Sequence, residues 1–224
     1  MAILVACQVA LPMEPKLIYI AVAFIAMAYI LGSIPFGIII GRALYGVDVR
    51  KFGSGNIGAT NCYRTLGVAA GVAVLMADIS KGLVPVVAVK AVLADSPDVV
   101  PMISVIVGLA AVLGHSYSVF LGFTGGKGMA TASGLILALW PWAAPILIGA
   151  WIVIVALTRY VSLASMVVAV LLPVLIIVLY PRTEYIVFSV AIAAVVVYRH
   201  RSNISRLIAG KELKIGEKVS LGED

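Results

Sequence analysis

Six stretches of this chain run for fourteen residues or more with little charge: about Leu17–Gly41, Leu66–Leu93, Val99–Leu121, Met129–Leu157, Val161–Leu179 and Glu184–Val197. No other feature constrains the fold as strongly. A helix needs about 20 apolar residues to cross a bilayer. The runs are continuous, whereas the strands of a spanning barrel alternate apolar and polar residues. With 63% hydrophobic and 12% charged residues, a soluble domain would have too little polar surface to cover its core. A soluble enzyme, a disordered chain and a secreted disulfide scaffold are therefore excluded. The expectation is an all-α, polytopic membrane bundle forming a single integral membrane domain over residues 1–224.

Charge decides how the runs are counted. Met129–Leu157 is interrupted by Trp140-Pro141-Trp142. Proline removes a helix donor, and tryptophan favours the membrane interface. Both suit a turn joining two short spans. The loop with Arg42, Arg50, Lys51 and Arg64 is placed in the cytoplasm, and Lys127, Arg159 and the basic tail (Arg199, Arg201, Arg206, Lys211, Lys214, Lys218) then fall on the same side. A single span would send that tail outside, against the positive-inside rule. The reading is about seven transmembrane helices, N-terminus outside and C-terminus cytoplasmic. On this view the net charge of +6 marks cytoplasmic loops and anionic headgroups, not nucleic acid. Cys7 and Cys62 fall on opposite sides, so no disulfide is expected. Met1–Leu11 has no basic region of the kind that begins a signal peptide. Leu4–Cys7 matches a lipoprotein cleavage box only loosely.

The informative polar residues fall in a few blocks, nearly all on the predicted cytoplasmic side. The first is Phe52-Gly53-Ser54-Gly55-Asn56-Ile57-Gly58-Ala59-Thr60-Asn61-Cys62-Tyr63-Arg64. Glycines let a backbone approach a ligand, amides ahead of a helix attract anions, and Arg64 brings a planar fork suited to phosphate. The competing reading is a polar loop capping the next helix, with Asn56 or Thr60 as N-cap. The second block is Gly122-Phe123-Thr124-Gly125-Gly126-Lys127-Gly128-Met129-Ala130-Thr131. It lacks Walker-A spacing, so it reads as a phosphate or carboxylate cradle, or else a tight turn bearing a positive-inside lysine. Gly114-His115 lies before it and is placed to face the same site. The third block is Tyr198–Leu207, where His200 and Asn203 share a helix face. Its alternative is a collar of snorkelling arginines. Gly32-Ser33-Ile34-Pro35 breaks the first run, either as a simple kink or to line a polar cavity. Asp78 and Lys81 lie one turn apart inside the second run, where an ion pair is costly, and a structural pair competes with a functional one. Two histidines make no metal set, and no G-x-S-x-G elbow is present.

Taken in order, these blocks, with Asp78-x-x-Lys81-Gly82 and Arg199-His200-x-x-Asn203-Ile204-x-Arg206-Leu207-x-x-Gly210-Lys211-Glu212, resemble the bacterial acyl-phosphate:glycerol-3-phosphate acyltransferases (PlsY family). The resemblance runs from about Tyr29 to Glu212. It implies transfer of a fatty acyl group from acyl phosphate to the 1-hydroxyl of glycerol 3-phosphate, giving lysophosphatidic acid and phosphate. That reaction is the first acylation of bacterial phospholipid synthesis. The resemblance also implies an inner-membrane enzyme with its site facing the cytoplasm, no cofactor and no metal. Ser54, Arg64, His200 and Asn203 would be catalytic. Ser33, Gly55, Asn56, Gly58, Thr60, Asn61, Gly125, Gly126, Lys127, Gly128 and Thr131 would bind substrate. Ser162 and Ser165, just after Arg159, would add phosphate donors. Asp78, Lys81 and Glu212 would be structural. No nucleophile–base pair is evident, so direct attack by the glycerol hydroxyl is expected, its proton passing to His200 or to a substrate phosphate. A carrier of phosphorylated solutes is the rival class, but the polar blocks gather on one face and no inverted repeat is visible.

Overall fold

The computed structural model describes residues 14–217. Cys7, and with it the disulfide expectation, lies outside the described residues, as do Met1–Leu11 and Lys218. The described residues form ten α-helices in order: α1 (Pro15–Ser33), α2 (Phe36–Tyr45), α3 (Ala59–Leu66), α4 (Val68–Val92), α5 (Val100–Ser116), α6 (Met129–Leu139), α7 (Ala143–Thr158), α8 (Val161–Leu179), α9 (Thr183–Arg199) and α10 (Arg201–Ile208). Among the described residues there is no β-strand, only an isolated bridge between Ser118 and Thr124. The all-helical expectation holds.

The boundaries differ from the sequence reading where glycine and proline act. The run Leu17–Gly41 is two helices, because Ile34, forced extended by the following proline (ψ 119°), ends α1 before α2 begins. Gly67, at φ 94°, separates α3 from α4, so the second long helix starts at Val68. The third ends at Ser116, short of Leu121. The hairpin in the long run is present, turning between Leu139 and Ala143. Its two tryptophans are not an interfacial pair, however. Trp140 is fully buried, edge-on to Tyr185 at 5.6 Å, and only Trp142 is exposed. Trp142 donates its backbone N–H to the Tyr180 hydroxyl (3.0 Å), joining the α6–α7 and α8–α9 turns.

Three helices, α1, α4 and α8, are each long and apolar enough to cross a membrane, and α9 with α10, bent by 54°, makes a fourth candidate. Helices α5, α6 and α7 are shorter. The outer surface is apolar, with Leu157, Val178 and Ile152 among the exposed side chains. That surface suits lipid.

Close helix contacts come from glycine. Gly32 meets the Ala111 carbonyl and Gly114 the Tyr29 carbonyl, a reciprocal pair between α1 and α5. Gly82 meets the Thr131 carbonyl and Gly134 the Ile79 carbonyl, binding α4 to α6 in the same way. Lipid tails are as apolar as leucine, so association inside a membrane relies on such small-residue packing. Thr131, in the first turn of α6, therefore sits beside Gly82, roughly 20 Å along α4. Helix α6 starts part-way down the bundle, which accounts for its shortness and draws the preceding 122–128 loop inward.

Gly134→Val should push α4 and α6 apart and destabilise the protein by about 1–3 kcal/mol. Gly149→Val, where nothing lies within 4 Å of an added Cβ, should be neutral. Thermal unfolding in detergent reads both, and equal effects would refute the packing argument.

Candidate active site

Four segments that follow or precede helix ends meet at one end of the bundle: the loop before α3, the loop before α6, the α7–α8 junction and the segment from His200 to Glu212. They enclose the polar end of a cavity of about 330 Å³, lined there by Ser54, Arg64, Lys127, Ser162, His200 and Asn203. The cavity continues between α6, α7, α8 and α9 along Ile136, Leu147, Trp151, Leu172 and Ile192. One end is cationic and rich in donors, and the remainder is hydrocarbon. A smaller cavity of about 130 Å³ shares Ser54, Arg64 and Glu212 and adds Arg206 and Leu213.

The first loop is folded by Asn61. Its Nδ2 donates to the carbonyls of Val49 (2.9 Å) and Phe52 (3.2 Å), and its Oδ1 accepts the Ser54 N–H (2.9 Å). Gly53, at φ 60°, lies against that Oδ1, where a Cβ would collide. Asn56 accepts the Gly58 N–H (2.9 Å). The N-cap of α3 is Gly58, not Asn56 or Thr60. Arg64, buried at 7% exposure, donates from Nη2 to the Leu213 carbonyl (2.8 Å). Its buried Nε has no partner among the described residues. Burial lowers its pKa, but a guanidinium stays charged.

The second loop is held from both sides. Arg199 donates to the carbonyls of Gly125 (2.7 Å) and Gly126 (3.1 Å) and lies 5.0 Å over the Tyr117 ring. Underneath, Gly126 donates its N–H to the His115 carbonyl (3.0 Å). Gly128, at φ 78°, turns the chain into α6. Between these glycines Lys127 reaches the cavity. Burial, reinforced by Arg206, Arg64 and Arg199 and opposed by Glu212, brings its pKa down to about 8.

In the third segment His200, past the end of α9, is 3% exposed. Its Nδ1 donates to the Val196 carbonyl (2.7 Å), which leaves Nε2 as the lone-pair nitrogen. Burial, then the charge of Lys127, lowers its pKa to about 4, so the imidazole is neutral at pH 7. Glu212 gathers its surroundings by accepting hydrogen bonds from Ser162 Oγ (2.7 Å), Asn203 Nδ2 (2.6 Å) and Arg206 Nε (2.8 Å). Burial raises the Glu212 pKa, but these donors outweigh it and hold the carboxyl below its usual range. The segment is clasped further by Arg159, which donates to the Ile215 carbonyl (3.0 Å) and accepts the Ile215 N–H (2.8 Å).

The cavity brings together most of the sequence candidates: Ser54, Asn56, Gly58, Thr60, Asn61, Arg64, Asp78, His115, Lys127, Gly128, Ser162, Ser165, His200, Asn203 and Glu212. Ser33, Gly55, Gly125, Gly126 and Thr131 do not line it. Ser33 donates to the Tyr29 carbonyl (2.8 Å), while its own carbonyl accepts from Ser118 (2.6 Å). Gly125 and Gly126 pack on His115, and Thr131 faces the α4 contact. Ser165 accepts from the Trp151 indole (3.3 Å). The basic-collar reading suits only Arg201, which is exposed, since Arg199 and Arg206 are both engaged at the site. Their part escaped the sequence reading because the positive-inside rule accounts for every arginine alike.

A family profile for glycerol-3-phosphate acyltransferase matches residues 22–210. A glycerol-3-phosphate acyltransferase of Trichlorobacter lovleyi is 49% identical over 191 residues, covering 85% of this chain and 95% of the relative. One from Geobacter sulfurreducens is 49% identical over 188 residues, covering 84% and 93%. Among solved structures, the chain resembles PlsY, an integral membrane glycerol 3-phosphate acyltransferase, in its glycerol 3-phosphate form. The TM-score is 0.80 at 43% identity, covering 88% of this chain and 96% of that one. The lysophosphatidic acid form matches with a TM-score of 0.78 at 42% identity.

Proposed function

This chain belongs to the glycerol-3-phosphate acyltransferase family, and from that premise we propose that it moves a fatty acyl group from acyl phosphate to the sn-1 hydroxyl of glycerol 3-phosphate. The products are lysophosphatidic acid and inorganic phosphate. The observation that carries the reading is one continuous cavity with a cationic end at Arg64 and Lys127 and an apolar length walled by α6–α9. An acyl phosphate has that same division between phosphate and chain. As a mixed anhydride it already holds a good leaving group, so positioning and charge stabilisation supply most of the catalysis.

In the proposed reaction the glycerol hydroxyl oxygen bonds to the acyl carbon, and the acyl carbon–oxygen bond to phosphate breaks. Lys127 and Arg64 stabilise the charge on the two phosphates. Asn203, oriented by Glu212, donates its second Nδ2 hydrogen; Ser162, whose one hydroxyl proton goes to Glu212, offers oxygen lone pairs, and Ser54 adds a hydroxyl at the same end. The hydroxyl proton passes to His200 Nε2 and from there to the departing phosphate, which restores the neutral ring. Burial first and the charge of Lys127 second make the imidazole a weak base, and a phosphate beside Lys127 cancels the second of these. The bundle is proposed to lie in the bacterial inner membrane as one domain, its polar end toward the cytoplasm. Glycerol 3-phosphate then enters from water while the chain stays among the helices. The site as proposed uses no metal and no cofactor.

The test uses purified protein in detergent with palmitoyl phosphate and labelled glycerol 3-phosphate, without CoA or acyl carrier protein. Formation of 1-acyl lysophosphatidic acid is expected. Folded protein that makes product only from acyl-CoA would overturn the donor assignment.

A pH dependence follows from Lys127. Its cationic form predominates below about 8 and is lost above it. In the free enzyme kcat/KM for glycerol 3-phosphate should therefore fall as pH rises through about 8. Lys127→Arg, which stays charged, should remove that alkaline limb even where its absolute rate is lower. An unchanged limb in Lys127→Arg would assign the titration to another group.

A further inference from the structure

Beneath the Lys127 loop lies a buried charge cluster that the reaction as described does not use. Asp78 and Lys81, both on α4, pair at 2.6 Å with side chains 2% and 3% exposed. The pair sits on one helix, at i and i+3, so it ties no two helices together. Its polar neighbour across the helix interface is His115 in the last turn of α5. His115 Nδ1 lies 3.6 Å from Asp78 Oδ1 and 3.5 Å from Lys81 Nζ. The same ammonium rests 4.9 Å over the Phe36 ring at the start of α2. The opposite edge of the imidazole, Nε2, is covered by Gly126, where an added Cβ would collide with the ring. Gly125 packs on the His115 carbonyl, and Gly126 donates its N–H to that oxygen. The two residues before Lys127 thus rest on His115 through both its backbone and its ring.

We propose that His115 is a positioning residue for Lys127, its imidazole fixed beneath the 125–128 loop by the buried Asp78–Lys81 pair. A well-packed apolar pair could replace an ion pair without loss of stability. It could not aim an imidazole. The glycines at 125 and 126 fit the same picture, since their lack of a side chain lets the loop settle on the ring. His115 and Asp78 border the same cavity as Lys127, and the role assigned to His115 runs through Lys127.

The inference rests on the acyltransferase reading, and turnover of acyl phosphate and glycerol 3-phosphate by the wild type in the same assay tests that reading separately. With wild-type turnover in hand, His115→Leu should lower kcat/KM for glycerol 3-phosphate by about a hundredfold, as expected for a misplaced binding group. In a Lys127→Ala background the same change should add less than about threefold, because residues acting through one another are not additive. Losses that multiply in the double variant would overturn the proposal, since a general structural defect adds to the loss of Lys127. His115→Gln, which retains a polar reach toward Asp78, should recover most of the loss, and a result no better than leucine counts against it. The charge-free pair Asp78→Asn with Lys81→Met leaves no lone buried ion. It should fold as the wild type does yet lower kcat/KM by about tenfold, again only when Lys127 is present. Unchanged activity in that double variant would remove the pair from the device. If His115→Leu does not purify as a folded species, the glutamine variant and the neutral pair carry the test.

Discussion

Lys127→Ala is expected to reduce kcat/KM for glycerol 3-phosphate by about a thousandfold while leaving the protein folded. Lys127 is the ammonium that reaches the cavity from the loop before α6. Charge-assisted hydrogen bonds are worth about 1.5–3 kcal/mol each, and removing a preorganised donor to developing charge costs about 2.7–4 kcal/mol of transition-state stabilisation. Arg64 also lines the cationic end of the cavity, so activity should not vanish. It should fall further in Lys127→Ala/Arg64→Ala than in either single variant. Folding is expected to survive because a buried ammonium with a depressed pKa contributes little to stability. Steady-state kinetics with a melting curve on each variant decide the matter. A loss smaller than about tenfold would show that the phosphate is held elsewhere.

His200→Gln should lower kcat by about a hundredfold or more with a much smaller change in KM. The Nδ1–H is committed to Val196, so Nε2 is the acceptor nitrogen of a neutral ring. Glutamine can still donate to a bound oxygen but cannot take a proton, which separates a base from a binding group. The wild-type kcat/KM should show no loss assignable to His200 as pH falls from 7 toward 5, because the ring of the free enzyme protonates only near about 4. A glutamine variant within about threefold of wild type would reassign the proton to a substrate phosphate, by the same reasoning on general-base contributions.

How much of this site was legible in advance differs from residue to residue. Lys127, Arg64, His200 and Asn203 stood out because a chain facing lipid has no use for such groups beside glycine-rich turns, and all four line one cavity. The hairpin at Trp140–Trp142 was legible from proline and from charge parity. The Asn61 side chain was not. It reads as a ligand donor in the sequence, yet in the structure all its polar atoms fold the loop around Ser54. Gly125 and Gly126 invited the same misreading, because a glycine that admits a ligand and one that admits a neighbouring imidazole look alike until the neighbour is known. The arginines divided in the same way. Arg199 and Arg206 have the composition of a collar, and only their partners, the Gly125 and Gly126 carbonyls and the Glu212 carboxylate, assign them to the site.

What the sequence determined by itself was the solvent, the helical class and the chemical types at the site. Uninterrupted apolar runs leave the backbone no choice but internal hydrogen bonding, and the expense of each polar group in such a setting marks it out. What only the tertiary structure decided was depth and partnership: that α6 begins part-way along α4, that Glu212 returns to bind Ser162 and Asn203, and that His115 lies beneath Gly126. The reason is physical. Hydropathy is a property each residue carries alone, whereas a hydrogen bond between residues 50 positions apart, as between Ser162 and Glu212, exists only once packing has brought them together.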